Sequence, residues 1–263
     1  MTKIGMIVET ILKKEVTDKE VAVLFSGGID SLSLCFALEK LGKTIHTYTF
    51  KLDNKPNKDA YYSKIIAEKK GWNHTEIIVP TNNIKADFLK LTKQYNCFKK
   101  TQVECTFPFL YVFPKIKQNF IVCGSVVGHL YGLAKSCMIH WKTPIEKFIE
   151  YKDKYYSSPN PACVQQLYQL SKEYGKTLIV PFYDQKVFDF FRPLSWNEIN
   201  KPFPKQHIVH AYTSQFYDTV VRKPANLQLE SGIPFYFEQL LKDKDLNTKN
   251  RTRVMDLCRD YGK

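Results

Sequence analysis

The chain has 263 residues, enough for one large domain or a domain with a helical extension. Its 44% hydrophobic content, with 16 Tyr and 18 Phe, excludes a disordered chain, and no apolar run approaches the roughly 20 residues that span a bilayer. Lys and Arg number 39 against 26 Asp and Glu, and the net charge of +13 fits a phosphate-bearing partner and a lysine-rich solvated surface equally well.

In chain order, apolar positions at Ile4, Ile7, Val8, Ile11 and Leu12 predict an amphipathic helix over 4–15. Val21 to Phe25 is an unbroken apolar run that reads as a buried strand. After a small-residue turn, Leu32, Leu34, Cys35, Leu38 and Leu41 predict a helix closed by Gly42. A second strand is expected over 45–50, a helix over 58–70 ended by Gly71, and a third strand over 75–79 stopped by Pro80. Helices follow at 84–95 and 107–117, the latter with Pro108 in its first turn, and then a fourth strand at 119–123. This alternation predicts an α/β fold with a parallel sheet and covering helices.

From Thr143 the pattern changes to helices with proline joints. Helices are expected over 161–174, after Asp184, from Lys205, and over 232–242 and 247–260, with 178–182 a short strand or extended segment. The expected organisation is a core over 1–142 and a helical layer over 143–263 packed on the same sheet. Seven scattered cysteines without a CxxC argue against a disulfide framework and a four-cysteine zinc site. The segment MTKIGMIVET is too short and interrupted for a signal peptide, so cytoplasmic residence is the expectation.

The stretch VAVLFSGGIDS, residues 21–31, carries the chemistry. A strand, a glycine turn and a helix N-terminus let backbone N–H groups and the helix dipole face an oxyanion. Ser26 and Ser31 add hydroxyl donors, and Asp30 offers a carboxylate to magnesium. This arrangement resembles the PP-loop of the ATP pyrophosphatase superfamily, and no Gly-Lys-Ser/Thr follows to make a Walker loop.

A closer resemblance spans about residues 20 to 240. The ordered motifs are SGGIDS, Phe50, Asp59-Ala60, Cys123-Gly124, Val180-Pro181-Phe182-Tyr183-Asp184, Lys205-Gln206-His207-Ile208 and Val221-Arg222-Lys223 before Gly232-Ile233-Pro234. Together they are similar to the synthetase domain of asparagine synthetases and β-lactam synthetases. The resemblance implies ATP and Mg as cofactors, adenylation of a carboxylate with release of pyrophosphate, and attack by an amine to form an amide and AMP. It implies that Ser26, Gly27, Gly28 and Ser31 cradle pyrophosphate and that Asp30 helps hold magnesium. Phe50 and the backbone around Leu24, Cys123 and Gly124 would flank adenosine. Lys205 would neutralise transition-state charge, with Arg222 and Lys223 near the phosphates.

The chain departs from that pattern in three places. The resemblance does not extend to the glutamine-hydrolysing domain, and position 2 is Thr rather than a nucleophilic cysteine. Ammonia, another amine or a separate glutaminase is then the expected nitrogen source. The acidic Gly-Glu-Gly-x-Asp-Glu signature is replaced by Gly124 to Gly132, with Ser125 and Gly128 at two carboxylate positions. His129 stands one residue beyond, and two readings stay open for it: a base, or a structural histidine packed beside Tyr131. Val209 replaces the arginine of the lysine motif. The expected function is an AMP- and pyrophosphate-forming carbon–nitrogen ligase. Its alternatives are a PP-loop enzyme modifying a nucleobase or tRNA, and a non-catalytic nucleotide-binding relative.

Overall fold

The structure has five parallel strands: β1 (Glu20–Leu24), β2 (Thr44–Leu52), β3 (Asn73–Val79), β4 (Phe120–Cys123) and β5 (Thr177–Ile179). They lie in the order β3-β2-β1-β4-β5 in a computed structural model that describes residues 2–134, 137–219 and 227–262. The α/β fold expected from the sequence is therefore the fold observed.

The period-2 alternation of strand side chains sorts the core into two halves. Ala22, Leu24, Tyr48, Phe50, Leu52, Ile121, Cys123 and Leu178 face one side, and Val21, Val23, Phe25, Ile45, Val122 and Ile179 face the other. Because both faces are buried, the central strands carry apolar residues at nearly every position. Leu24 is level with Tyr48 on β2 and with Cys123 on β4, so β1 and β4 end together while β2 runs on to Leu52.

In chain order the helices are α1 (Lys3–Glu15), α2 (Ile29–Lys40), α3 (Lys58–Lys70), α4 (Ile84–Gln94), α5 (Lys100–Thr106), α6 (Phe109–Val112), α7 (Val127–Leu130) and α8 (Ile145–Tyr156). They continue with α9 (Val164–Glu173), α10 (Gln185–Phe191), α11 (Trp196–Asn200), α12 (Gln206–Ala211), α13 (Thr213–Tyr217), α14 (Leu227–Ser231), α15 (Ile233–Gln239) and α16 (Val254–Tyr261). Helices α1, α2, α10 and α12 cover the Val21 face, and α4, α5, α9, α15 and α16 cover the Leu24 face. No helix among the described residues is long and apolar enough to cross a membrane.

Local chemistry sets the ends. Asn57 accepts from the Asp59 amide at 2.7 Å to start α3, and Asp184 accepts from the Lys186 amide at 2.8 Å to start α10. Two expected helices differ from those observed. The helix expected over 107–117 is α6 followed by a tight 113–115 turn, because Pro108 and Pro114 each lack an N–H for a continuous ladder. Ahead of it stands α5, started by the Gln102 side chain, which accepts from the Phe98 and Lys99 amides. The last helix begins at Val254 rather than 247, since the Asn247 side chain binds Arg251 N at 2.6 Å and holds a turn there.

Candidate functional site

The chain steps outward from β1 to β2 to β3 and then returns to lay β4 against the other side of β1. That reversal opens a crevice at the carboxyl ends of β1 and β4, the general ligand position in open α/β sheets. A cavity of about 180 Å³ lies there. It is lined by Leu24, Phe25, Ser26, Asp30 and Ser31 from the first strand and loop, by Tyr48, Thr49 and Phe50 from β2, and by Cys123, Gly124 and Ser125 after β4. Asp59, Phe109, Val112 and Leu227 complete the wall.

The loop is held as an open turn. Gly27 has φ +70°, and a side chain there would stand 3.1 Å from Ile66 of α3. Ser63 donates to the Phe25 carbonyl at 3.1 Å, so α3 fixes the loop from behind. Ser31 Oγ donates to Gly28 O at 3.2 Å and accepts from Ser26 N at 3.4 Å, which cinches the turn. Gly28 caps α2 with no side-chain acceptor, so no cap side chain competes with an incoming anion for the first-turn N–H groups. Gly124 permits the close approach of β4 to this turn: a Cβ there would lie 3.3 Å from the Asp30 and Ser31 backbone.

Lys205 reaches the same place from the other half of the chain. It is the N-cap of α12, in the left-handed region at φ +61°. For a lysine this conformation costs on the order of 1–2 kcal/mol, the kind of strain that collects at functional positions. The residue is 8% exposed, and Nζ donates to Asp30 Oδ2 at 2.6 Å across 175 residues of sequence. The second oxygen, Asp30 Oδ1, is buried without a hydrogen-bond partner.

That orphaned oxygen is the fit test for magnesium. Among the described residues no three His, Cys, Asp or Glu side chains gather into a metal cluster. Magnesium is commonly held by one or two carboxylates together with substrate phosphates and waters. One free carboxylate oxygen beside an anion seat fits a metal carried in with a polyphosphate.

Of the residues singled out in the sequence, Leu24, Ser26, Asp30, Ser31, Phe50, Cys123 and Gly124 line one cavity, Gly27 and Gly28 form its loop, and Lys205 is paired with Asp30. Arg222 and Lys223 lie outside the described residues. Sequence reasoning missed Phe109, which meets Phe50 edge to face at 6.1 Å, and gave Asp59 no site role. An acid in the first turn of a helix that follows the second strand is the signal that would have found Asp59.

His129 does not line this cavity. It hydrogen-bonds the Tyr151 hydroxyl at 2.8 Å through Nδ1, and its ring stacks on Tyr155 at 3.7 Å. Burial pushes its pKa down to about 4. Ser125 faces the cavity instead, 3.0 Å from Cys123 Sγ, and burial raises the Cys123 thiol pKa.

Residues 6–123 match the family model described as asparagine synthase. No curated protein matches the chain. Similar solved structures include a predicted subunit of tRNA methyltransferase from Methanocaldococcus jannaschii, at 13% identity and TM-score 0.43, covering 89% of this chain and 91% of that one. Another is the U34-tRNA thiolase NcsA from Methanococcus maripaludis, with its [4Fe-4S] cluster, at 12% identity and TM-score 0.40, covering 98% and 76%. A third is NMN synthetase from Francisella tularensis, at 13% identity and TM-score 0.39, covering 85% and 98%. At these identities nothing about activity passes from those proteins to this chain. The loop and the first four strands fall within residues 6–123, the stretch over which this chain is similar to the asparagine synthase family.

Proposed function

We propose that the cavity binds Mg-ATP and that the protein is an AMP- and pyrophosphate-forming carbon–nitrogen ligase. The observation that carries this reading is the Asp30–Lys205 pair, at 2.6 Å on the lip of an anion-binding loop. Phe50, Phe109 and the backbone at Leu24, Cys123 and Gly124 enclose the adenosine. At about 180 Å³ the cavity is smaller than the ~300–1,000 Å³ of a typical whole ligand site, so the phosphates extend along the loop outside it.

In the proposed reaction a substrate carboxylate oxygen attacks the α-phosphorus, and the bond to the bridging oxygen breaks. Pyrophosphate leaves onto Ser26, Gly27, Gly28 and Ser31, and Lys205 neutralises the charge that builds on the phosphates. Asp30 would help hold a magnesium ion, which would supply further charge neutralisation. An amine then attacks the acyl carbon, gives up a proton, and AMP departs as the amide forms. His129, turned to Tyr151, is not the group that takes that proton. Asp59 is proposed to accept from the ribose hydroxyls. Arg222 and Lys223 are kept as proposed phosphate ligands. Residues 1–142 are proposed as the nucleotide-binding core and 143–263 as the layer that brings Lys205 to it, in a cytoplasmic enzyme.

The test is a pyrophosphate-release screen with Mg-ATP over carboxylic acids, with mass spectrometry of the products. Equimolar AMP and pyrophosphate with one acid and one amine are expected. A folded protein without nucleotide affinity would sink the reading, and ATP binding without pyrophosphate would point to a non-catalytic relative. A second reading, modification of a nucleobase or tRNA, is favoured by the net charge of +13 together with exposed Tyr61, Tyr217 and Phe235. RNA retention that weakens steeply with salt would support it.

A further inference from the structure

We infer that Tyr131 is the positioning residue of Lys205: the face of its ring seats the ammonium opposite Asp30 and fixes it at the lip of the cavity. The inference rests on the proposed function only in taking Lys205 to act on the phosphates.

Tyr131 ends α7 and is fully buried behind the cavity rather than in its wall. Lys205 Nζ lies 5.4 Å from its ring centroid, within the range of a cation–π contact. The same nitrogen is 2.6 Å from Asp30 Oδ2, so the ammonium is clamped between a carboxylate and an aromatic face. The clamp draws on three separated segments: the loop, α7 and the turn before α12.

The ring itself is immobilised. Phe191 meets it at right angles with centroids 5.1 Å apart. The Tyr131 carbonyl accepts from Asn200 Nδ2 at 2.6 Å, and the next carbonyl, Gly132 O, accepts from Trp196 Nε1 at 3.0 Å. Trp196 and Asn200 are the two ends of α11, and Lys205 follows that helix after the short segment 201–204. One short element thus fixes both the aromatic seat and the lysine that sits on it. An incoming anion that draws Lys205 off Asp30 leaves the ring as the contact holding the ammonium at the cavity.

The hydroxyl is not the working part of the side chain. It is buried without a hydrogen-bond partner, and burial together with the charge of Asp30 raises its pKa far above the ordinary range. It stays neutral, and a phenylalanine retains everything the inference requires.

The test compares Tyr131→Leu and Tyr131→Phe in the full chain, well below their melting temperatures, with Tyr131→Met in place of Leu where Leu does not fold. In pyrophosphate release, Tyr131→Leu is expected to lower kcat about tenfold with KM for ATP changed less than about twofold, and Tyr131→Phe to recover most of that loss. On a Lys205→Met background, Tyr131→Leu should add less than about twofold, because a residue acting through Lys205 has nothing left to position. Independently of turnover, labelling of Lys205 by an amine-reactive reagent, followed by mass spectrometry, should speed up severalfold in Tyr131→Leu and not in Tyr131→Phe. Equal labelling in all three proteins overturns the inference, as does a Phe variant no better than Leu or a tenfold loss that persists without Lys205. If no acid supports pyrophosphate release, the proposed function fails, and the labelling result still decides the role of Tyr131.

Discussion

Asp30 accepts from Lys205 through one oxygen, and its other oxygen is buried without a hydrogen-bond partner. Replacing it with alanine is expected to abolish turnover, with residual pyrophosphate release below ~1%. Lys205→Ala should leave the ATP dissociation constant within about threefold while kcat falls ~10²–10³-fold, read by calorimetry and steady-state kinetics. His129 sets an acid limit on stability. Its pKa is about 4 in the folded protein against about 6.5 unfolded, so the unfolded chain binds the extra proton between those values. His129's contribution is unchanged above pH 6.5, and it lowers stability as the pH drops from 6.5 to 4. The loss is ~1–2 kcal/mol once the ring's partial exposure is discounted. Thermal melts across that range should show the fall, and His129→Phe should remove its share, the remainder coming from His46, His74 and His140, whose pKa values burial also lowers. The loop residues were legible because six adjacent positions carry their chemistry together. Phe109 and Tyr131 were not, since each acquires its role from a neighbour far away in sequence.

Glycines make the close approaches between elements. Gly124→Ala would press a methyl group against the first turn of α2 at 3.3 Å and tilt Asp30 away from its partner. Turnover should drop about tenfold for a stability cost of about 1 kcal/mol, measured by kinetics alongside denaturant unfolding. Gly132 behaves differently: its φ is +70°, and a Cβ would meet Trp196 at 2.6 Å and Phe148 at 2.8 Å. Gly132→Ala should therefore destabilise by ~2–4 kcal/mol through strain and overpacking where α8 and α11 meet the turn after α7. The strands and α1 to α4 could be read from periodicity, because each buries one repeating face against the sheet. The short α5 and the late start of α16 could not, since side chains of Gln102 and Asn247 redirect the backbone within a single turn.

At the scale of the molecule, the sheet separates two cores, and both contain side chains from each half of the chain: Phe182, Phe188 and Ile208 pack with Val21 and Val23, while Val164, Leu170 and Phe237 pack with Leu24 and Tyr48. Ligand binding on the central crevice should then stabilise the whole protein. At a hundredfold excess over its dissociation constant, Mg-ATP is expected to add about 2.7 kcal/mol, visible as a higher melting temperature. Asp30→Ala should lose most of the magnesium-dependent part of that rise. The parallel sheet was legible from strand–helix alternation. The placement of β5 beside β4 was not, because a three-residue strand beyond a long helical stretch leaves no periodic trace.

The 175 residues between Asp30 and Lys205 also impose an order in time. A ribosome adding about 5–20 residues per second delivers Lys205 roughly 9–35 seconds after Asp30. Throughout that interval the nascent chain owns a phosphate loop but not the cation proposed to commit ATP to chemistry. Under the proposed function, a chain that ends before Lys205 lacks the cation that commits ATP to chemistry.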